Sequence, residues 1–317
     1  MTSHPTLRLA IVKRAVEGGG TVLLDLAHPD GVPLPPCTAG AHVELVISPT
    51  LTRPYSLCGD PADRSRYRLG ILNDPASRGG SRAVFEQFHE GRIVEVSTPR
   101  NLFPLDPAAT KTLLIGGGIG ITPMLAMAYA LTAAGKDFEL HYSAKSRAVA
   151  AFLPELAAAP FANSVFLHFS DEARADLAAV IGTGAAGKHV YTCGPRRLMD
   201  AVIATARAQG YAEANIHSEY FQVEVDNTGG GFEVVAKKSG KTLSVAPGES
   251  LLHALTAAGI AMQKSCEQGV CGACLADVLE GVPDHRDKYL TDDEKAGGDL
   301  IVTCCSRAKS PRLVLDV

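Results

Sequence analysis

The chain has 317 residues, of which 46% are hydrophobic and 20% charged, and its formal net charge at pH 7 is −4. That length exceeds what one hydrophobic core usually serves, so two or three domains are expected, and the composition is that of packed globular protein rather than disorder. The scattered basic residues argue against a nucleic-acid partner, no apolar run approaches the roughly 18 residues of a membrane helix, and Met1–Gly20 has no signal-peptide core, so a cytoplasmic protein is expected.

Residues 1–106 read as an antiparallel β-barrel domain. Leu7–Val16, Val22–Ala27, His42–Ile47, Tyr67–Ile71 and Ile93–Ser97 are short apolar or alternating runs separated by Gly, Pro and Asp turns. Between them, Ser81–His89 carries helical spacing with Ser81 placed as its cap. Two short motifs could bind a ligand. Arg53-Pro54-Tyr55-Ser56-Leu57 combines a cation for phosphate, a ring that stacks on a planar group and a hydroxyl donor. Arg78-Gly79-Gly80-Ser81 opens the helix with free N–H groups, an anion site in the making. Taken alone, Arg53 and Tyr55 serve equally well as ordinary surface and core residues.

Residues 107–225 change to strand–helix alternation: Leu113–Ile115, helix 123–134, Phe138–Tyr142, helix 148–158, Val165–Phe169, helix 174–181, His189–Thr192 and helix 196–209. Such alternation builds an α/β domain on a parallel sheet. Its first strand runs into Gly116-Gly117-Gly118-Ile119-Gly120-Ile121-Thr122-Pro123, where glycines allow a pyrophosphate to approach, Thr122 can cap and Pro123 suits the first helical turn. The pattern departs from G-x-G-x-x-G by ending in proline, yet its place at the first strand points to dinucleotide binding. Cys193-Gly194-Pro195 closes a later strand at the same carboxyl edge, although Cys193 also suits a small buried position. No acidic residue closes the second strand, and Arg147 nearby could tolerate a 2′-phosphate, so NADH and NADPH both stay open.

Asp226–Gly231 reads as a flexible linker. Residues 232–317 follow as an α+β (β-grasp) module with strands Phe232–Ala236 and Thr242–Val245 and helix 249–258. Within it, Cys266, Cys271 and Cys274 stand at C-x4-C-x2-C spacing, and Cys304 follows after 29 intervening residues. This is the plant-type [2Fe–2S] spacing, in which two sulfide-bridged irons each need two more soft donors. Zinc sites pair C-x2-C with another such pair or with histidines, and this stretch does not. Cys305 competes for the fourth place, which spacing awards to Cys304. Gly269 and Gly272 permit a tight loop whose N–H groups can face the sulfurs.

Taken together, RPYSL and GGS in a strand-rich module, GGGIGITPM and CGPRRLM in a nucleotide module, and a C-terminal ferredoxin resemble the phthalate dioxygenase reductase and vanillate demethylase reductase type, within the ferredoxin–NADP reductase superfamily. The resemblance covers essentially the whole length and extends to Pro99–Leu105. It implies that Arg53, Gly79, Gly80 and Ser81 hold a flavin phosphate, that Tyr55 packs on the flavin ring and that Ser56 lies near its N5. A C-terminal ferredoxin implies FMN rather than FAD. Gly116, Gly118, Gly120, Thr122, Cys193, Gly194 and Pro195 would hold NADH, with NADPH possible, and Ser56, Cys193 and Phe221 would stand at the reacting centre. Phe221, in Glu219-Tyr220-Phe221, serves on spacing alone equally well as a core aromatic. The implied activity is electron transfer from NADH through FMN and the cluster to a Rieske-type aromatic oxygenase; a cytochrome P450 or another monooxygenase is the alternative acceptor.

Overall fold

The first strand, Thr6–Glu17 (β1), turns Leu9 and Ile11 inward and spans two partners. A register shift between Ile11 and Lys13 bends it, so that it pairs with Thr21–Ala27 (β2) at one end and with Ile93–Ser97 at the other. The computed structural model describes residues 6–49, 51–75, 77, 79–221 and 225–317. The remaining strands of this sheet are Ala41–Ser48 (β3), Leu51–Ser56 (β4), Tyr67–Leu72 (β5), Ile93–Ser97 (β6) and Arg100–Asn101 (β7), in the order β4-β3-β6-β1-β2-β5 with β7 on β3. An antiparallel bridge from Leu57 to Leu69 joins the two ends of that order, which curls the sheet into a barrel around Leu24, Val43, Leu45, Leu69 and Val96. Helix α1, Gly80–Gln87, lays Val84 on this core. Its N-cap is Gly79, in a left-handed conformation with φ of 98°; Ser81 is the second helical residue and accepts the Asp74 N–H instead, so the expected Ser81 cap is corrected.

Lys111–Gly117 (β8), Asp137–Ala144 (β9), Val165–Phe169 (β10), Lys188–Cys193 (β11) and Ile216–Glu219 (β12) form a parallel sheet in the order β10-β9-β8-β11-β12. Helices Ile121–Ala133 (α2), Leu153–Ala158 (α3), Leu177–Ile181 (α4) and Arg196–Ala208 (α5) connect its strands. Gly120 is the N-cap of α2, while the Thr122 hydroxyl donates to the Ile119 carbonyl, so Thr122 is a buried brace and not a cap. The helix expected over 148–158 is confined to α3, because Phe152 takes a left-handed conformation with φ of 64° and its N–H donates to the Glu17 carboxylate. The short strand β12 escaped the sequence reading. Barrel and sheet are tied by one ion network: Arg68 on β5 donates to both carboxylate oxygens of Asp25 on β2 and, at 2.9 Å, to Glu155 on α3, which also accepts from Tyr129 on α2.

From Tyr220 onward the chain forms a second compact unit. Phe232–Ala236 (β13), Lys241–Val245 (β14), Leu275–Glu280 (β15), Leu300–Val302 (β17) and Arg312–Leu315 (β19) build a mixed sheet in the order β14-β13-β19-β15-β17, and Pro283–Asp284 (β16) pairs with Arg307–Ala308 (β18). Helix α6, Leu251–Ala257, capped by Ser250, covers the sheet with Leu251 and Leu255; α7, Asp292–Gly297, starts with a Thr291–Glu294 capping box. Parallel β13 and β19 at the centre flanked by antiparallel strands is the β-grasp arrangement. In the segment expected as a flexible linker, the carbonyls of Asp226 and Thr228 accept from Arg286 and that of Gly230 from Arg307. No helix of the described residues is long and apolar enough to cross a membrane.

On the parallel sheet, His189 and His217 stack and hydrogen-bond at 2.9 Å, with Tyr191 against His217 and Asp106 3.9 Å from His189. Burial, and then the neighbouring His189, push His217 down from 6.5 to about 4. The fold therefore disfavours its charged form, and this stabilising contribution is complete above pH 6.5 and is lost as pH falls toward 4. Thermal melts should drop by roughly 2–4 °C between pH 7 and 5 for each kcal/mol so lost. His217→Gln should show a smaller drop; an identical drop would remove His217 as the cause.

Candidate functional site

The two barrel motifs meet in space. Arg53 and Tyr55 share one face of β4, and a Cβ on Gly80 would lie 3.2 Å from the Arg53 side chain, so glycine brings the first turn of α1 against the arginine stem. The N-terminus of α1 and the Arg53 side chain thus lie side by side, a pairing of donors that could hold an anion. Tyr55 is half-buried, and burial pushes its phenol up to about 12 despite the opposing effect of Arg53. Arg78 lies outside the described residues. Ser56 points away from Tyr55 and is buried.

At the carboxyl edge of the parallel sheet, two loops pack backbone to backbone. A Cβ on Gly120 would collide with the Cys193 carbonyl, one on Gly117 with Pro195 and Leu198, and one on Gly194 with Gly117. A Cβ on Gly118, at φ of +53°, would meet nothing within 4 Å, so the loop is open there and can receive a pyrophosphate. Gly116 sits beneath, against Ile121. Cys193 is fully buried, and burial first and Glu219 second hold its thiol well above the usual range, in the neutral form.

Glu219 is the residue that the sequence reading overlooked. It pairs with Cys193 across β11 and β12, and the Ser56 hydroxyl donates to its carboxyl group. Its Oε2 is buried with no hydrogen-bond partner among the described residues, and burial pushes its pKa up to about 8. A carboxyl group poised near neutrality between Ser56 and Cys193 can hold or move a proton there. Glu219 was hidden because β12 was not recognised; an acidic side chain ending an alternating Ile216–Glu219 run was the available signal. Phe221, second residue of the second unit, lies in a half-buried bend.

In the second unit, Glu267 adopts φ of 54°, Gly269 74° and Gly272 71°, a winding that turns the Gln268 N–H onto Cys266 Sγ at 3.3 Å and the Gly269 N–H onto Cys304 Sγ at 3.2 Å. A Cβ on Gly272 would collide with the Tyr289 ring. All four thiols of Cys266, Cys271, Cys274 and Cys304 are buried. Cys266 interacts with Cys271 and then Cys304, which lowers its pKa, and Cys274 interacts with Cys304. Among the described residues no three metal-binding side chains converge as closely as a single ion requires, and Cys266 and Cys304 link the four thiols in one connected set. Four soft donors with N–H groups aimed at their sulfurs fit a two-iron cluster. Cys305 turns its thiol to the Val302 carbonyl, 3.8 Å away.

Comparison with known proteins shows what the chain resembles. The 2Fe-2S iron-sulfur cluster binding domain matches residues 234–309. Over 93% of its length the chain is 46% identical to a vanillate O-demethylase oxidoreductase of a Pseudomonas species, covering 95% of that protein. It is 38% identical to the phthalate dioxygenase reductase of Burkholderia cepacia, covering 98% of this chain and 97% of that one. The chain belongs to the phthalate dioxygenase reductase and vanillate demethylase reductase family. A solved phthalate dioxygenase reductase, described as modular for electron transfer from pyridine nucleotides to [2Fe-2S], superposes with a TM-score of 0.75 over 98% of both chains at 37% identity. An intact type IV self-sufficient cytochrome P450 monooxygenase contains a region superposing at 0.87 and 40% identity; it covers 98% of this chain, which spans 41% of that protein. As a member of this family the protein is an oxidoreductase using a pyridine nucleotide, a flavin and a [2Fe–2S] cluster.

Two outcomes are expected of these sites. The rate of flavin reduction by NADH should vary with pH about a midpoint near 8, as Glu219 ionises, and the dependence should vanish in Glu219→Gln; stopped-flow absorbance at 450 nm checks this. Cys304→Ser should lose the cluster's visible absorption and bound iron while Cys305→Ser retains both, and the reverse would exchange their roles.

Proposed function

We propose that the protein is the reductase component of a Rieske-type aromatic oxygenase system, taking electrons from NADH through FMN to the [2Fe–2S] cluster and on to the oxygenase. The observation that carries this reading is the meeting of Ser56 on the barrel with Glu219 and Cys193 at the carboxyl edge of the parallel sheet. When bound, the flavin accepts a two-electron hydride and passes electrons singly, which matches a nicotinamide to a cluster. Arg53, Gly79, Gly80 and Ser81 would hold its phosphate, and Tyr55 would pack on its ring. Gly116, Gly118, Gly120, Cys193, Gly194 and Pro195 would hold the dinucleotide, Thr122 bracing the loop from within. Ser56 would stand by N5, with Glu219 supplying or holding a proton through its hydroxyl. Cys266, Cys271, Cys274 and Cys304 would ligate the cluster, and Phe221 would cover the nicotinamide position.

For the nucleotide, Arg147 supports NADH: its Nε donates to Glu172 at 2.9 Å and its guanidinium lies over Phe169, so its charge is already matched and less free for a 2′-phosphate. FMN is supported by the family's domain order. A cytochrome P450 acceptor is the second reading, favoured by the P450 monooxygenase that carries a region of the same fold and length.

Cys271→Ser should abolish NADH-driven reduction of cytochrome c or of an oxygenase while retaining reduction of ferricyanide. Equal loss of both in a flavin-loaded variant would refute the order of carriers, and release of FAD instead of FMN on denaturation would overturn the flavin assignment.

A further inference from the structure

The segment Asp226–Gly230, glycine-bearing and polar in sequence, is held by its own backbone. Asp226 Oδ1 accepts the Thr228 N–H at 2.8 Å, an Asx turn that presents neighbouring carbonyls to a common side. Arg286 donates from Nη1 to the carbonyls of Asp226 at 2.6 Å and Thr228 at 2.8 Å, while Asp284 grips the same guanidinium through Nε at 2.8 Å and Nη2 at 2.7 Å. Arg307, 2% exposed, donates to the Gly230 carbonyl at 2.9 Å and to those of Ala246 and Glu249, with its guanidinium over the Phe232 ring. Gly229 takes φ of +132°, and a Cβ there would lie 3.5 Å from Arg307 Nε and 3.6 Å from Arg286 Nη2. A flexible tether needs none of this. Charge-assisted bonds to main-chain carbonyls, from guanidiniums themselves fixed by a carboxylate and an aromatic ring, hold a chain irrespective of its side chains.

The segment that carries Arg286 also meets the chain around the cysteines. The Arg286 N–H donates to Ser306 Oγ at 3.2 Å, two residues from Cys304, and the Lys288 N–H donates to the Gly269 carbonyl at 2.9 Å. Asp284 and Arg307 are register partners of β16 and β18. One hydrogen-bonded segment therefore meets the chain beside Cys304 on one side and Asp226–Gly230 on the other.

We propose that Asp226–Gly230 is a strap belonging to the ferredoxin unit, and that Arg286 and Arg307 are positioning residues which shorten the tether between the two units and so raise the frequency with which their redox centres meet. This goes beyond the function proposed above and rests on it only in taking the flavin to lie in the first unit. Five released residues would add up to about 17 Å of reach. Lengthening the connection from about six to about eleven residues lowers the effective concentration of one unit at the other by about 2.5-fold, following the −3/2 power of length.

The test uses full-length, flavin- and cluster-loaded protein carrying Arg286→Ala, with Gly229→Val as an independent variant that crowds the strap and spares the arginines. Hydrogen–deuterium exchange should rise in residues 226–230 in both, with the cluster absorbance and NADH–ferricyanide activity of the parent retained. The rate of cluster reduction after flavin reduction, read by stopped flow, should fall about 2.5-fold. Unchanged exchange in both variants would overturn the strap, and raised exchange with an unchanged cluster-reduction rate would overturn its positioning role. Failure of the proposed function would show separately, as NADH reducing neither centre in the unaltered protein.

Discussion

The junction of barrel and parallel sheet depends on Arg68. Its guanidinium is clamped by Asp25, 3% exposed, and by Glu155, so a strand of one domain and a helix of the other share a single cation. Removing one partner from such a buried set typically costs about 3–5 kcal/mol, because the remaining charge is stranded. The hydrogen bond from Phe152 to Glu17 and the close fit of Gly70 against Phe152 and Thr122 add to the same seam. With it set, Ser56 on the barrel meets Glu219 on the sheet across one boundary.

Across that boundary the protein supplies shape and proton control, and its cofactors carry the electrons. Main-chain approach dominates the nucleotide loops, where glycine is required by collision with Cys193, Gly194 and Pro195. Proton control rests on a carboxyl group that burial holds near neutrality. The cysteine loop uses another device, left-handed winding at Glu267 and Gly269, to aim N–H groups at sulfur. Arg286 and Arg307 lie behind that loop and grip the entering chain, which joins cluster and connection in one hydrogen-bonded piece.

Most of the periodic elements were legible. Alternating runs became the barrel strands, and Leu113–Ile115, Phe138–Tyr142 and His189–Thr192 became buried parallel strands, because their neighbours in sequence impose the same pattern as their neighbours in space. The misreadings come from partners that the sequence does not announce. Ser81 and Thr122 have the chemistry of caps, but the Ser81 hydroxyl accepts the Asp74 N–H and the Thr122 hydroxyl donates back to the Ile119 carbonyl. Helix 148–158 lost its first turn to the Glu17 carboxylate, 135 residues away in sequence. Asp226–Gly231 has linker composition, and nothing local announces that two arginines about 60 and 80 residues later will hold it.

The amino-acid sequence by itself determined the order of the modules, the spacing of Cys266, Cys271, Cys274 and Cys304, and the glycines that allow backbone approach, since each is a property of residues close along the chain. Only the tertiary structure decided that Glu219 faces Ser56, that Cys305 turns toward the Val302 carbonyl while Cys304 receives the Gly269 N–H, and that the Asp226 carbonyl accepts from Arg286. A carboxyl group acquires a pKa near 8, and a carbonyl acquires its arginine, only when distant segments exclude water around them together.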